Sequence, residues 1–255
     1  VVAECAKAVV HAADLEASVV VMRGRIEELE LPERIDCIVS EWMGCFMLYE
    51  SMLDSVLCAR DRWLKPGGTM LPRRARMWLA PYRNEEEADE RAAFWSDVHG
   101  IDMSCLAPIA QAELARKPAI EFALPQNVIA DASCVLDLDL QACALADCQS
   151  LGASFEFSSW VRADVHAFVG YFDVELIAGK WLSTAPDEEP THWRQVLFFV
   201  ERPFSVEQDE CIPMSLTMAQ SASNRRCWDV ELAYRAPRDD SGTRRQQQYE
   251  LDVSC

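Results

Sequence analysis

Five runs in the second half of the chain alternate apolar and polar residues: DVHAFVGYFDVEL (164–176), RQVLFFVERPFSV (194–206), CIPMSLTMA (211–219), CWDVELAYRA (227–236) and QYELDVSC (248–255). A period of two belongs to strands with one buried face, and the short turns between successive runs favour antiparallel neighbours. This half therefore predicts an antiparallel barrel or sandwich.

The first 70 residues follow a different rule. Val2, Cys5, Ala6, Val9, Val10 and Ala13 recur at helical spacing. SVVVM (18–22) and IDCIVSE (35–41) are short continuous apolar runs of the kind that buried parallel strands show. A second helix carries Met52, Leu53, Val56, Leu57 and Trp63 on one face, and Lys65-Pro66-Gly67-Gly68 is its stop signal. Helix, strand, strand and helix make a piece of an α/β sheet, too small for a doubly wound domain. The character changes beyond Leu71-Pro72, which divides the chain into residues 1–71 and 72–255. Between the two patterns, residues 84–118 contain EEEADERAAFWSDVHG and AQAELARK, which read as a helical interaction arm.

Charge and cysteine usage bound the function. Of 255 residues, 24 are Lys or Arg and 42 are Asp or Glu, a net charge of −18 that repels phosphate backbones and attracts basic partners. Nucleic acid is thereby a poor ligand. The 11 cysteines are odd in number and form no C-x-x-C pair, so neither a zinc site nor a disulfide framework is expected. Most should be reduced, buried, small apolar residues of an intracellular protein. No apolar run approaches the ~20 residues of a membrane span, and the start lacks the basic segment of a secretion signal. Because the first residue is Val, the chain is expected to be a shortened piece.

Glu41 ends an apolar strand, where ligands gather in open α/β sheets, and Glu50 follows nine residues later. The loop between them, WMGCFMLY, is too apolar for a solvated turn. Three readings of the carboxylates stand open: unrelated surface and capping groups, a proton-sharing dyad, or a clamp for a guanidinium, which is planar and permanently charged. Thr191-His192-Trp193 is a second constellation, weak by itself because a single His is more often structural.

SEWMGCFMLYESML (40–53) resembles the double-glutamate loop of the protein arginine methyltransferases, and PTHWRQ (190–195) resembles their Thr-His-Trp loop. The likeness extends through GRIEELELPERIDCIVSEWMG, ARDRWLKPGG, GIDMSC and HAFVGYFDVEL, and is nearest to the type I branch, which makes mono- and asymmetric dimethylarginine. It implies the end of a Rossmann-like S-adenosylmethionine methyltransferase domain followed by an antiparallel β-barrel domain with a helical dimerisation arm. It also implies catalytic roles for Glu41, Glu50 and His192, with the two glutamates gripping the substrate guanidinium. Met52 and Trp193 would contact substrate, and Met52, Ile26 and Glu27 the cofactor S-adenosylmethionine, with Glu27 accepting from the adenine amine. Arginine-rich protein partners, such as histone tails and RNA-binding proteins, a homodimer, and a nuclear or cytoplasmic location follow from the same likeness.

Two departures matter. The family's glycine-rich cofactor turn, resembling V-L-D-x-G-x-G-x-G, and the acidic residue after it do not occur among these residues, and alignment places Val1 a few residues beyond them. The chain is thus read as the later part of a methyltransferase or, alternatively, as a non-catalytic subunit that binds arginine-rich proteins or an active homologue. Cys45 stands where relatives commonly carry Tyr and cannot supply a phenol, which bears on substrate and product preference.

Overall fold

The computed structural model describes residues 1–238 and 244–252. Its first part comprises helix α1 (Val2–Ala12), strand β1 (Ile35–Val39), helix α2 (Leu53–Trp63) and strand β2 (Leu64–Leu71). β1 and β2 run parallel, with Ile35 opposite Leu64 and Val39 opposite Leu71, and α2 lies in the crossover between them. α2 buries Leu53, Val56, Leu57 and Ala59, the first three spaced for one helical face. The helix ends at Trp63, just before the stop signal. Lys65-Pro66-Gly67-Gly68 itself lies inside β2, where the register against β1 jumps and Gly67 adopts φ +77°.

One expected strand is absent. SVVVM (18–22) pairs with no described strand, and Val20 is 82% exposed. An apolar run becomes a strand only where a neighbour takes up its backbone N–H and C=O groups, and no described strand lies beside it. Helix α1 forms as its periodicity predicts, yet it buries no residue.

The remainder is β3 (Arg74–Tyr82), α3 (Glu85–Phe94), α4 (Ala107–Leu114), β4 (Ala119–Glu121), β5 (Ser133–Asp139) and β6 (Ser150–Ser158), then β7 (Ala163–Ile177), β8 (Lys180–Ser183), β9 (Gln195–Val206), β10 (Cys211–Gln220), β11 (Trp228–Tyr234) and β12 (Arg245–Leu251). All five alternating runs are strands, though residues 253–255 of the last fall outside the described chain. One sheet has the order β4-β9-β7-β3-β5, with β8 on β7, and the other β12-β11-β10-β6. The described pairings within both are antiparallel. Aromatic rings join the sheets across one core: Phe168 meets Tyr234 at 5.4 Å, Phe204 meets Tyr234 at 5.3 Å, and Phe198 meets Tyr249 at 5.2 Å. The antiparallel β-barrel is the architecture that results.

Residues 167–170 of β7 are buried on both faces, so this stretch reads as an unbroken apolar run. One face meets the barrel core; the other joins Tyr82, Leu197 and Phe199 in a smaller cluster under Leu114 of α4. Arg91 of α3 lies 4.6 Å from the Phe199 ring centre and donates to Glu121 at 3.2 Å, so the helical segment is tied to the barrel by a cation on a ring. The cysteines correct the composition-based expectation. Among those described only Cys148 and Cys227 are buried, because most of the others fall on outward strand positions and surface helices.

Phe168 lies between Phe157 and Tyr234 with no exposed surface. Phe168→Ala is expected to cost about 3–5 kcal/mol and to lower the urea midpoint measured by tryptophan fluorescence. An unchanged midpoint would contradict a core shared by both sheets.

Candidate functional site

The loop joining β1 to α2 is inserted into the barrel. Trp42, Met43, Phe46, Met47, Leu48 and Tyr49 are each at most 7% exposed. Phe46 lies edge-on to Phe198 at 5.3 Å and above Gly170, where a Cβ would stand 2.5 Å from its ring. Two barrel indoles hold the loop backbone: Trp193 Nε1 donates to the Met43 carbonyl at 2.7 Å, and Trp228 Nε1 to the Leu48 carbonyl at 2.8 Å. Gly44 is needed where the loop doubles back, since a Cβ there would meet the Tyr49 carbonyl oxygen at 2.1 Å. Phe46, Met47, Glu50 and Ser51 all have positive φ, a conformation that costs a non-glycine residue on the order of 1–3 kcal/mol. Burial and the two indole bonds hold it.

Past the loop, Glu50 is drawn toward the turn before β11. Its amide donates to the Arg226 carbonyl at 2.9 Å, and its carboxylate accepts from Arg226 Nη2 at 2.7 Å. The Ser51 hydroxyl donates to the Arg225 carbonyl. Asp54, in the first turn of α2, accepts from Arg225 at 3.0 Å, Gln149 at 3.3 Å and Gln220 at 3.4 Å. One turn of helix thus meets three barrel segments.

Glu27 accepts a hydrogen bond from the Ser55 hydroxyl and lies 3.7 Å from Arg25 Nε. The Ser55 bond first, and a backbone N–H second, hold its carboxyl below the ordinary carboxylate range. Glu27, Glu50, Asp54, Ser55 and Arg226 line one surface cavity of about 420 Å³.

The structure thus brings together Glu27 and Glu50 but not every expected partner. Glu41 is exposed, carries no hydrogen bond or ion pair among the described residues, and is not among those lining this cavity. Glu50 is held toward the barrel by Arg226, whereas Glu41 stands outside this cavity. Met52 is 45% exposed at the start of α2, and Ile26 is half-buried beside Glu27. His192 is exposed, its ring 4.0 Å from that of Trp193. Trp193 differs from the expected substrate contact: it is buried against Phe172, with its N–H committed to Met43. Its place is that of an anchor for the loop. Asp54, Arg226 and Trp228 were not legible as site residues. The adjacent Arg225-Arg226 pair in a strongly acidic chain was the available signal.

The sequence model of the arginine methyltransferase oligomerization subdomain matches residues 73–239. With the barrel, the inserted double-glutamate loop and this match, the chain belongs to the protein arginine methyltransferase family. It is 37% identical to probable protein arginine N-methyltransferase 6.1 of Oryza sativa subsp. indica over 89% of this chain and 67% of the relative. It is 38% identical to protein arginine N-methyltransferase 6 of Xenopus tropicalis over 95% of this chain and 72% of the relative. The chain spans 61–67% of the length of three plant relatives it matches. Among solved structures, the Trypanosoma brucei PRMT1 enzyme–prozyme heterotetramer with AdoHcy superposes with a TM-score of 0.87 at 29% identity, covering 98% of this chain and 79% of that one. Arabidopsis thaliana protein arginine methyltransferase 10, in an open conformation, gives 0.80 at 32% identity, covering 98% and 80%.

If Ser55 is what keeps Glu27 acidic, Ser55→Ala should raise the Glu27 titration midpoint followed by carboxyl NMR shifts, with little change in fold. An unmoved midpoint would remove Ser55 from that role. Trp193→Phe leaves the Met43 carbonyl without its donor and is expected to cost about 1–3 kcal/mol. Faster amide exchange at Gly44 would register the loosened loop.

Proposed function

We propose that the chain contributes the substrate side and part of the cofactor side of a protein arginine N-methyltransferase, which moves a methyl group from S-adenosylmethionine to arginine in basic proteins. One observation carries the reading: the Glu50 carboxylate already holds a guanidinium, that of Arg226, at 2.7 Å. A substrate arginine would replace that resident group with the same chemistry.

A guanidinium is a poor nucleophile because its charge is delocalised, and a pKa above about 12 keeps it protonated. Glu50, with Glu41 from the other end of the strained loop, would hold one terminal nitrogen toward the methyl donor and draw positive charge to the others. Catalysis is then orientation and electrostatic stabilisation, with the nitrogen losing a proton as it gains the methyl. His192 and Met52 would complete the substrate side, with Trp193 fixing the loop that bears Glu41. S-adenosylmethionine supplies an electrophilic methyl on a sulfonium when bound. The donor set fits that group at one end: Glu27, kept ionised by Ser55 on the cavity wall, is an acceptor for an adenine amine, with Ile26 beside it.

Mono- and asymmetric dimethylarginine are the proposed products, and histone tails and RNA-binding proteins the proposed substrate class, in keeping with the charge of −18. The proposed homodimer uses residues 84–118, where Phe94, Trp95 and Leu114 line a cavity of about 700 Å³. A second reading, a non-catalytic subunit that binds arginine-rich proteins, draws on the same Glu50–Arg226 pair taken as a permanent closure.

Calorimetric titration with a Gly-Arg-rich peptide separates these readings. The enzyme reading expects binding that either Glu41→Gln or Glu50→Gln weakens roughly tenfold or more, the value of a charged hydrogen bond, whereas a permanently closed Glu50–Arg226 pair leaves only Glu41→Gln able to weaken it. Affinity unaltered in both variants overturns the clamp. Methyl transfer that Glu41→Gln abolishes identifies the enzyme, whereas peptide binding that Glu41→Gln weakens and Glu50→Gln leaves unchanged identifies the subunit.

A further inference from the structure

On β7, Tyr171 alternates with the core residue Phe172 and so points out of the barrel, where its ring stacks on that of Trp78 with centres 6.4 Å apart. Trp160, at the corner between β6 and β7, is 50% exposed. Its amide donates to the Ile129 carbonyl at 2.8 Å, and Ser159 before it bridges Ala130, which sets this corner against residues 128–132. The Thr184 amide donates to the Phe172 carbonyl at 2.9 Å, and the Phe172 amide to Thr184 Oγ1 at 3.0 Å. That pairing brings Pro186 and Asp187, just after β8, to the side of Tyr171. Trp160, Tyr171, Pro125, Pro186, Asp131 and Asp187 line the resulting recess of about 380 Å³.

We propose that this recess is a second guanidinium site, which takes one arginine side chain of a basic protein between the rings of Trp160 and Tyr171 and the carboxylates of Asp131 and Asp187. It rests on the reading above for the choice of an arginine-rich ligand, yet it shares no lining residue with the cavity of Glu27 and Glu50. A guanidinium lies flat on an aromatic ring while the N–H groups at its rim reach acceptors in its own plane. The two aromatic residues supply the face, and the two aspartates supply the acceptors.

The surroundings favour this occupant over others. Among the described residues neither aspartate has a hydrogen bond or an ion pair, and no Lys or Arg lines the recess. Both charges therefore lack the resident cation that Glu50 has in Arg226. Burial first, then the charges of Asp173 and Asp187, push the Tyr171 phenol up, so its ring remains uncharged. An anion would meet two carboxylates, and an apolar side chain would strip water from them without replacing it. An ammonium is compact and strongly hydrated, and gains less from a ring face than a planar guanidinium does. The volume lies near the lower end of the ~300–1,000 Å³ of small-ligand pockets, the scale of one side chain rather than of a docked helix.

The test follows the Trp160 indole N–H resonance, assigned by its loss in Trp160→Phe, while a Gly-Arg-rich peptide is titrated into the protein. A saturable shift is expected, absent with the citrulline version of the peptide, which is similar in shape but uncharged, and reached with the lysine version only at roughly tenfold higher concentration. Asp131→Asn combined with Asp187→Asn, both at exposed positions, should abolish the shift with the fold retained, whereas Glu41→Gln and Glu50→Gln should leave it in place. No shift, an equal response to the citrulline or lysine peptide, or a shift that survives the double aspartate variant overturns the proposal. So does a shift lost in Glu41→Gln or Glu50→Gln, which makes Trp160 a reporter of the other site. The readout needs neither S-adenosylmethionine nor methyl transfer, so failure here leaves the reading of Glu41 and Glu50 standing, and failure of that reading leaves the Trp160 shift to be explained by this recess.

Discussion

Two indole N–H groups, those of Trp193 and Trp228, determine how the two halves of this chain meet. Each donates to a carbonyl of the loop between β1 and α2, one from just before β9 and the other from the start of β11. A loop so apolar could not stand in water, and a loop with unpaired carbonyls could not be buried. The indoles satisfy both demands, being large apolar bodies with one donor apiece. Phe46 then enters the barrel over Gly170, and Glu41 and Glu50 are left at the two ends of a rigid plug. The positions of the candidate catalytic groups thus depend on the barrel as much as on the sheet that carries them.

That arrangement explains why strained backbone persists at Phe46, Met47, Glu50 and Ser51. Left-handed residues relax unless their surroundings over-determine them. Phe46 and Met47 are held by the core, whereas Glu50 and Ser51 are held by the carbonyls of Arg226 and Arg225. Strain, burial and charge pairing therefore coincide along one short segment, as expected where a carboxylate must be presented at a fixed angle to a planar cation.

Legibility in the sequence followed the physics of each element. Of the strands of the second half, β7, β9, β10, β11 and β12 were plain because period two survives where one face is solvated, whereas β5, β6 and β8 were not read. Strand β2 was hidden because Lys65-Pro66-Gly67-Gly68 reads as a turn, and only its pairing with β1 across a bulge makes it a strand. SVVVM erred in the opposite direction: apolar content cannot supply a neighbour. Glu27 and Glu50, which share one cavity, were singled out through motif likeness, as were Glu41 and His192, which lie outside it. Arg226 and Asp54 were not, since their meaning arises from a contact between positions more than 170 residues apart. The burial of Trp193 was likewise invisible, because a tryptophan in a motif reads as a contact surface until its N–H is seen to be spent.

Helix α2 connects all of this. Ser55 and Arg62, seven residues apart and so on one face, engage the segment holding Glu27: Ser55 donates to its carboxylate and Arg62 to its carbonyl. Asp54 gathers Arg225, Gln149 and Gln220 from the barrel, while Arg60 holds the Cys143 segment. Leu53, Val56 and Leu57 seat the helix in the core between these contacts. A displacement of α2 would therefore alter the setting of Glu27, the wall beside Glu50 and the hold on the Cys143 segment together.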